Sequence, residues 1–244
     1  MNETLIIVPA YNEAGCIRSV INEVIKHASF SDILVVNDGS NDTTLKIVKE
    51  TGVSVVSHPI NLGAGASIQT GLKYALNNNY CIAIVVDGDG QHDPSEASKL
   101  IMALNDTTVD VVIGTRFLVK NALTTHWLRR IGILIFSTII SILGHVRITD
   151  TTSGYRAFNK RAMNYLAEEF PADFPDANML LSLLLAGYKI IEVPVNMRPR
   201  ESGQSMYSTL RSIYYPFNVI VAIIAVLLRS MIINKRSCSC IHKG

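Results

Sequence analysis

The sequence has few charged residues, few cysteines and no features of a signal peptide in its first residues. Charged residues make up 17% of its 244 residues against 48% apolar ones, and the net charge is +2. So small a charge predicts no nucleic-acid partner. Four cysteines in a chain of this length do not make a disulfide framework, which favours a reducing, cytoplasmic setting. The first residues lack the basic flank and long apolar region of a signal peptide, so we expect a folded part that is not secreted.

The first half of the chain contains one repeated unit: a short apolar run, a polar loop and an amphipathic stretch. Apolar residues recur between 17 and 25 at the spacing of a helix that packs on a sheet. The alternation predicts an α/β fold with a mostly parallel, doubly wound sheet. The predicted strands are 5–8, 33–36, 53–56, 82–86 and 111–113.

Two acidic residues, Asp87 and Asp89, directly follow the buried strand predicted at 82–86. Carboxylates one residue apart in a Gly-rich turn can face the same hard cation. Mg²⁺ and Mn²⁺ prefer such oxygen ligands and leave other positions to water and substrate phosphates. The pair therefore predicts a cation site for a diphosphate substrate, although an ordinary acidic turn is the alternative.

Chemically rich residues also follow the three earlier strands. Because ligands of such sheets collect beyond the carboxyl ends of the strands, we expect the loops to form one site. Tyr11 offers a ring face, Asp38 can accept hydrogen bonds from a base or ribose, and Gly63 and Gly65 allow close approach of the backbone. Each loop alone could instead be a turn or a helix cap.

A nucleotide-dependent dehydrogenase is excluded by the residues after the first strand. Such an enzyme needs a G-x-G-x-x-G turn there. The chain has PAYNEAG at 9–15 instead.

Seven motifs run in order through most of the chain. They are IIVPAYNEAGCI at 6–17, VVNDGSNDTT at 35–44, HPINLGAGASIQTGLKYA at 58–75, VVDGDGQHDP at 85–94, GTRF at 114–117, TDTTSGYRAFNK at 149–160 and EVPVNMRPRESGQS at 192–205. Together they resemble the family 2 inverting glycosyltransferases of the GT-A nucleotide-sugar fold. The resemblance is nearest to members that work at membranes, such as dolichyl-phosphate mannose synthases and bacterial polyprenyl-phosphate glycosyltransferases.

The resemblance implies a reaction and a donor site. The reaction is sugar transfer from a nucleotide-diphosphate sugar, with Mg²⁺ or Mn²⁺ as the cofactor. Asp87 and Asp89 would bind the metal that bridges the diphosphate, with Gln91 as a third contact. The residues implied to hold the nucleotide sugar are Pro9, Tyr11, Glu13, Asp38, Gly63, Gly65 and Asp87.

Four arginines of the second half fall in family motifs and are predicted to bind phosphate. Arginine holds phosphates bidentately, so Arg116, Arg156, Arg198 and Arg200 are predicted to clamp the donor diphosphate or an acceptor phosphate. A solvated surface position remains the alternative for Arg156 and Arg198.

The catalytic base is left open between two carboxylates. A hydroxyl acceptor needs a base, whereas a phosphate acceptor is already ionised. Asp150 and Asp176 are the candidates. Many relatives carry a glutamate where this chain has Asn178, which leaves Asp176 as the carboxylate of that segment. His92 and Asp93 are interpreted as loop residues beside the metal.

Two apolar segments point to a membrane. The stretch 131–143 follows Trp127 and two arginines, which suits a helix at an interface as well as a core helix. The segment 213–233 is about as long as the ~20 residues of a membrane span, but Asn218 and Arg229 interrupt it. We favour an interfacial helix, or one that packs on a membrane-protein partner, over a span.

These observations give three predicted parts: a catalytic domain at 1–207, an apolar membrane-associated helix at 208–233 and a basic tail at 234–244. The expected location is the cytoplasmic face of a membrane, peripheral or single-span. The QxxRW element and the several spans of processive synthases are absent from the sequence, which favours a single transfer. The acceptor is predicted to be a polyprenyl phosphate. The alternatives are a sugar hydroxyl of a lipid-linked glycan and a non-catalytic protein that binds nucleotide sugars.

Overall fold

A seven-stranded sheet organises the protein, whose computed structural model describes residues 2–118, 127–170 and 175–198. In spatial order the strands are β3, β2, β1, β4, β6, β5 and β7. Their bounds are β1 Thr4–Ala10, β2 Ser31–Asn37, β3 Ser54–Ser57, β4 Ile82–Val85, β5 Val111–Thr115, β6 Arg156–Asn159 and β7 Ile190–Pro194. All five strands predicted from apolar runs are present.

Every neighbouring pair in the sheet is parallel except those that involve β6. Strand β6 lies between β4 and β5 and runs antiparallel to both. The central register places Ile6 of β1 beside Ile33 of β2 and Ile84 of β4. The prediction of a mostly parallel α/β sheet is confirmed.

Helices cover both faces of this sheet, as its apolar strands require. Successive side chains of β1 point to opposite faces, so Leu5 and Ile7 belong to one core and Ile6 and Val8 to the other. The helices are α1 Ile17–His27, α2 Thr44–Thr51, α3 Ala64–Asn77, α4 Ala97–Leu104, α5 Trp127–Leu143, α6 Lys160–Glu169 and α7 Pro175–Leu185. A short 3₁₀ turn, Pro94–Glu96, precedes α4.

Helix α5 contains the whole of the first predicted membrane segment, 131–143. Phe136 and Ile140 are buried against the core to which α7 also belongs, whereas Leu134 and Ile142 remain exposed. One face of α5 is thus a core face and another meets solvent. No helix in the three described ranges is long and apolar enough to cross a membrane. The predicted segment 213–233, the boundary at 207 and the tail at 234–244 lie outside the described residues.

Candidate active site

The loops that follow β1, β2 and β4 meet at one edge of the sheet. Parallel pairing sets Ala10 beside Asn37 and Ile7 beside Val85, so the chain leaves all three strands at a similar level. The loop after β4 lies so close to the end of β1 that it needs a glycine, because a Cβ at Gly88 would lie 2.9 Å from the carbonyl oxygen of Pro9. The predicted convergence of these loops is therefore observed.

The first loop is bonded to the second by side chains that the sequence analysis did not single out. Asn12, in a left-handed backbone conformation, receives a hydrogen bond at Oδ1 from the amide of Asn41 at 2.8 Å. The amide of Glu13 donates to Oγ1 of Thr44 at 2.9 Å. These bonds leave the ring of Tyr11 at the rim, with 38% of the residue exposed, where a flat base can stack on it.

Asp38 is buried beneath the third loop. Its Oδ1 accepts from the amide of Leu62 at 2.9 Å and lies 2.7 Å from Nδ1 of His58, while its Oδ2 accepts from the amide of Gly63 at 2.8 Å. The residue is only 3% exposed. Asp38 thus shapes the loop over which a nucleoside would lie, and direct contact with a nucleoside stays a prediction.

Gly63 and Gly65 stand where this loop enters α3. Gly63 has a φ of +93°, a conformation that favours glycine, and Gly65 is buried in the first turn. The amide of Gly63 is already bonded to Asp38. The positive φ of Gly63, rather than a close approach, accounts for the glycine there, because a Cβ on it would meet nothing within 4 Å.

The acidic pair after β4 fits a hard divalent cation by its chemistry. The side chain of Asp87 is 43% exposed, and Oδ1 of Asp89 accepts from the amide of Gln91 at 3.0 Å, which closes the turn. The donors are two carboxylates and an amide oxygen, the ligand type of Mg²⁺ and Mn²⁺. Within the described residues, no group of three or more His, Cys, Asp or Glu side chains is placed to hold a metal. Such a cation would therefore take its remaining ligands from Gln91, substrate phosphate and water.

His92 lies directly behind this pair, in the same loop after β4, and is buried. Its Nδ1 accepts from the amide of Asp87 at 3.0 Å, and its Nε2 is 3.5 Å from Oδ2 of the same residue. Burial lowers the pKa of His92 to about 4 even though the nearby charge of Asp89 acts to raise it. The imidazole is neutral at physiological pH.

A residue from the other half of the sheet also lies close to Asp87. A Cβ at Gly154 would lie 2.9 Å from Oδ2 and 3.1 Å from Oδ1 of Asp87. Gly154 directly precedes Tyr155 and β6, the antiparallel strand beside β4. The sequence shows this glycine inside a family motif, but only the fold shows that it makes room for the carboxylate.

Arg116 and Asp150, predicted as a phosphate clamp and a base, are paired with each other. Nε of Arg116 donates to Oδ2 of Asp150 at 2.9 Å, its second nitrogen donates to Oδ1 at 3.3 Å, and it also reaches Oγ1 of Thr152 at 2.9 Å. Asp150 is fully buried, whereas the side chain of Arg116 is 15% exposed. In this conformation Asp150 orients Arg116, and its role as a base stays an untested prediction.

Glu192 of β7 holds the backbone of the same segment, a role that the sequence analysis missed. Its Oε1 accepts from the amides of Thr149 and Asp150 at 2.9 and 2.8 Å. Its Oε2 accepts from the hydroxyl of Thr149 at 2.8 Å. The carboxylate of Glu192 therefore fixes the backbone that carries Asp150.

The other described arginines predicted to bind phosphate contact other groups of the protein. Arg156 is 3% exposed and donates to the carbonyl oxygen of Thr151 at 3.2 Å. Arg198 lies 3.0 Å from Oδ2 of Asp93 and 3.3 Å from Oε2 of Glu23.

The structure describes one further predicted residue in part and does not describe another. Asp176 lies in the first turn of α7, two residues before the buried Asn178, with only its backbone described. Arg200 lies outside the described residues.

A known family profile matches more than half of the chain. Residues 5–166 match the profile described as glycosyl transferase family 2. The chain belongs to glycosyl transferase family 2. It is therefore a glycosyltransferase, and the resemblance inferred from its motifs is confirmed.

Relatives within this family cover most of the chain. A UDP-N-acetylglucosamine–dolichyl-phosphate N-acetylglucosaminyltransferase of Methanococcus voltae is 35% identical over 188 residues, 68% of this chain and 73% of the relative. A polyprenol monophosphomannose synthase of Mycolicibacterium smegmatis is 29% identical over 215 residues, 84% of this chain and 81% of the relative. An undecaprenyl-phosphate mannosyltransferase of Micrococcus luteus is 29% identical over 214 residues, 84% and 87% of the two chains.

Solved structures confirm the GT-A fold of this family 2 chain. Glucosyl-3-phosphoglycerate synthase of Mycobacterium tuberculosis, crystallised with Mn²⁺, UDP and phosphoglyceric acid, matches with a TM-score of 0.69. The match covers 91% of this chain and 78% of the other at 18% identity, a level that establishes shared fold alone.

Some residues of the candidate site lie inside the segment that matches the family profile, and others lie beyond it. It includes Asp87, Arg116, Asp150 and Gly154 but ends before Glu192 and the residues after it. The carboxylate that anchors the Asp150 segment thus comes from outside the matched residues.

Proposed function

We propose that this family 2 glycosyltransferase moves a sugar, with inversion, from a nucleotide-diphosphate sugar to a polyprenyl phosphate. The product would serve the synthesis of cell-envelope glycan or glycoconjugates. The single observation that carries the proposal is the pair Asp87 and Asp89 at the carboxyl end of β4, beside the loops after β1 and β2. The names of three relatives support this acceptor, because they refer to dolichyl phosphate, polyprenol monophosphomannose and undecaprenyl phosphate.

The donor diphosphate would lie over the acidic turn. Asp87, Asp89 and Gln91 would hold Mg²⁺ or Mn²⁺. When bound, the cation supplies Lewis-acid neutralisation of the charge that develops on the leaving diphosphate. Because Gly154 has no side chain, it leaves the space that the carboxylate of Asp87 occupies.

The nucleoside would lie across the first three loops. Tyr11 offers its exposed ring, and Pro9 and Glu13 flank it along the chain. Asp38 would contribute through the loop that it holds, with Gly63 and Gly65 giving the ligand access to backbone amides.

The acceptor phosphate would meet Arg116, whose guanidinium is oriented by Asp150 and is partly exposed. A phosphate oxygen is already ionised and attacks without a base. A sugar hydroxyl of a lipid-linked glycan, the alternative acceptor, would require one. The bidentate pairing of Asp150 with Arg116 favours the phosphate acceptor, and Asp176 would be the base for the alternative.

A membrane surface would bring the acceptor to this site. The segment 213–233 would lie in the interface or pack on a membrane-protein partner, on the cytoplasmic side where nucleotide sugars are available. Burial of an apolar helix face contributes roughly 25 cal/mol per Å². The exposed Leu134 and Ile142 of α5 would add to the apolar surface.

The proposal is tested by incubating the purified protein with radiolabelled UDP-glucose, UDP-N-acetylglucosamine or GDP-mannose and a polyprenyl phosphate. We expect one donor to give an organic-extractable product, no product in EDTA, and recovery with Mg²⁺ or Mn²⁺ but little with Ca²⁺. Full turnover in chelator would refute the metal site. A product formed only with lipid-linked glycan would favour the hydroxyl alternative.

The membrane part is tested by ending the chain after Tyr207. The full chain should sediment with vesicles that contain anionic lipid, and the shortened chain should stay in the supernatant while still binding nucleotide sugar. It should also use a long-chain polyprenyl phosphate poorly. Equal use of the lipid acceptor by both chains would contradict a docking role for 213–233.

A further inference from the structure

His92 contacts the backbone and lies beside the carboxylate of one proposed metal ligand. The amide of Asp87 can only donate, so Nδ1 of His92, 3.0 Å away, must be the acceptor. The proton of the neutral ring is then on Nε2, which lies 3.5 Å from Oδ2 of Asp87. One imidazole therefore restrains both the start of the acidic turn and the direction of the Asp87 side chain.

The imidazole is itself held in place by the second half of the sheet. It stacks on the ring of Tyr155 with centroids 4.8 Å apart and planes 14° from parallel. Tyr155 is fully buried, and its hydroxyl donates to the carbonyl oxygen of Asp93 at 3.0 Å. The backbone of His92 also pairs with that of Met197. His92 therefore cannot turn without disturbing several packed groups.

The carboxylate of Asp87 thus has two close neighbours in the fold. Nε2 of His92 lies 3.5 Å from Oδ2, and a Cβ at Gly154 would come within 2.9 Å of the same oxygen. A carboxylate confined in this way is preorganised, because little conformational freedom is lost when it takes up a ligand geometry.

We propose that His92, stacked on Tyr155, is a positioning residue that orients Asp87 for the divalent cation. The proposal rests on the metal site of the proposed function. Partners that orient metal ligands typically contribute about ten- to a hundredfold in metal affinity or activity. His92 touches neither sugar nor phosphate in this role, so saturating metal should restore most of the turnover that its replacement removes.

The test measures Mn²⁺ binding by electron paramagnetic resonance, with UDP and with GDP, on the full chain. His92→Phe keeps a flat ring against Tyr155 but lacks both nitrogens, and we expect it to weaken Mn²⁺ binding about ten- to a hundredfold. Nucleotide binding in EDTA should stay within twofold of the wild type. His92→Asn, whose amide oxygen can accept from the Asp87 amide, should recover part of the loss.

Two controls separate this proposal from the metal site itself. His27→Phe, on the exposed end of α1, should bind Mn²⁺ like the wild type. Asp87→Asn should lose Mn²⁺ binding. If Asp87→Asn loses binding while His92→Phe and His92→Asn both bind Mn²⁺ like the wild type, the role of His92 is wrong and the metal site stands. If Asp87→Asn also binds normally, both are wrong.

Discussion

The two halves of the sheet use their polar residues differently. On the side of β1, β2 and β4, each strand runs directly into a site loop, and the side chains of Tyr11 and Asp87 reach solvent. On the side of β5, β6 and β7, Arg156 and Asp150 are buried among hydrogen-bonding partners. The first half presents most of the proposed ligands, whereas the second, apart from the partly exposed Arg116, builds a fixed frame beside them. Variants in the first half should therefore lose activity and keep stability, and variants in the second should lose both.

The largest effect is expected at the acidic turn. Asp89→Asn removes one charge from the cation site while leaving the core intact, so transfer should fall about a thousandfold or more, given several kcal/mol of charge stabilisation. The measurement is transfer at saturating Mg²⁺ together with the melting temperature, which should change by no more than a few degrees.

The matched control is Asp106→Asn, because Asp106 lies in an exposed turn before β5. It should transfer sugar at the wild-type rate. The contrast between the halves would be contradicted if Asp89→Asn kept most of its activity in excess Mg²⁺, or if it were unfolded at room temperature.

Asp150→Asn should lose stability as well as transfer. It leaves Arg116 without its buried counter-charge, and breaking such a pair costs about 3 kcal/mol. Urea unfolding should show that loss of stability. Arg116→Lys should show a smaller loss, because lysine keeps the positive charge although a single ammonium cannot match the bidentate contact. Unchanged stability with lost transfer and an altered pH profile would instead make Asp150 the base.

Gly154→Ala tests the contact between the halves. The new methyl group would lie 2.9 Å from Oδ2 of Asp87 and must displace that carboxylate. We expect roughly a ten- to hundredfold higher Mn²⁺ requirement for transfer. Titration of activity with Mn²⁺ measures it, and an unchanged requirement would show that Asp87 has room to move.

The smallest effect is expected at Asp93. Burial acts to raise its pKa, but hydrogen bonds from Ser95 and the ion pair with Arg198 outweigh this and lower it. A carboxyl with a lowered pKa stabilises the fold above its unfolded pKa of about 3.9, and the contribution is lost as pH falls through the folded value. Asp93→Asn keeps a capping side chain. It should cost about 0.5 kcal/mol at pH 7, since the pair is partly exposed.

Urea unfolding of wild type and Asp93→Asn between pH 7 and pH 3 measures this difference. The gap should begin to narrow as the pH falls below the unfolded pKa of about 3.9, because the carboxyl then starts to take up a proton. A gap of constant size from pH 7 to pH 3 would show that the loss does not come from the charge.

The parallel half was readable from sequence for a local reason. Each buried strand is one apolar run, and the residue after it must lie at the same sheet edge as its neighbours. Asp38 and Asp87 were therefore placed correctly without a structure. The frame was not readable, because Glu192 bonds to Thr149 and Asp150 across more than forty residues of chain, and no spacing rule connects them.

The sequence by itself determined the α/β class, the family, the acidic turn and the loops around it, since all of these depend on patterns within a few residues. Tertiary structure alone decided that Asp150 orients Arg116, that Asp38 holds the loop at 58–63, and that His92 and Gly154 lie close to Asp87. For the pairing of Asp150 with Arg116 and the approach of Gly154 to Asp87, the physical reason is the antiparallel strand β6. By inserting between β4 and β5, it brings residues of a later segment against the acidic turn, and their partners are fixed by packing rather than by neighbours in the chain.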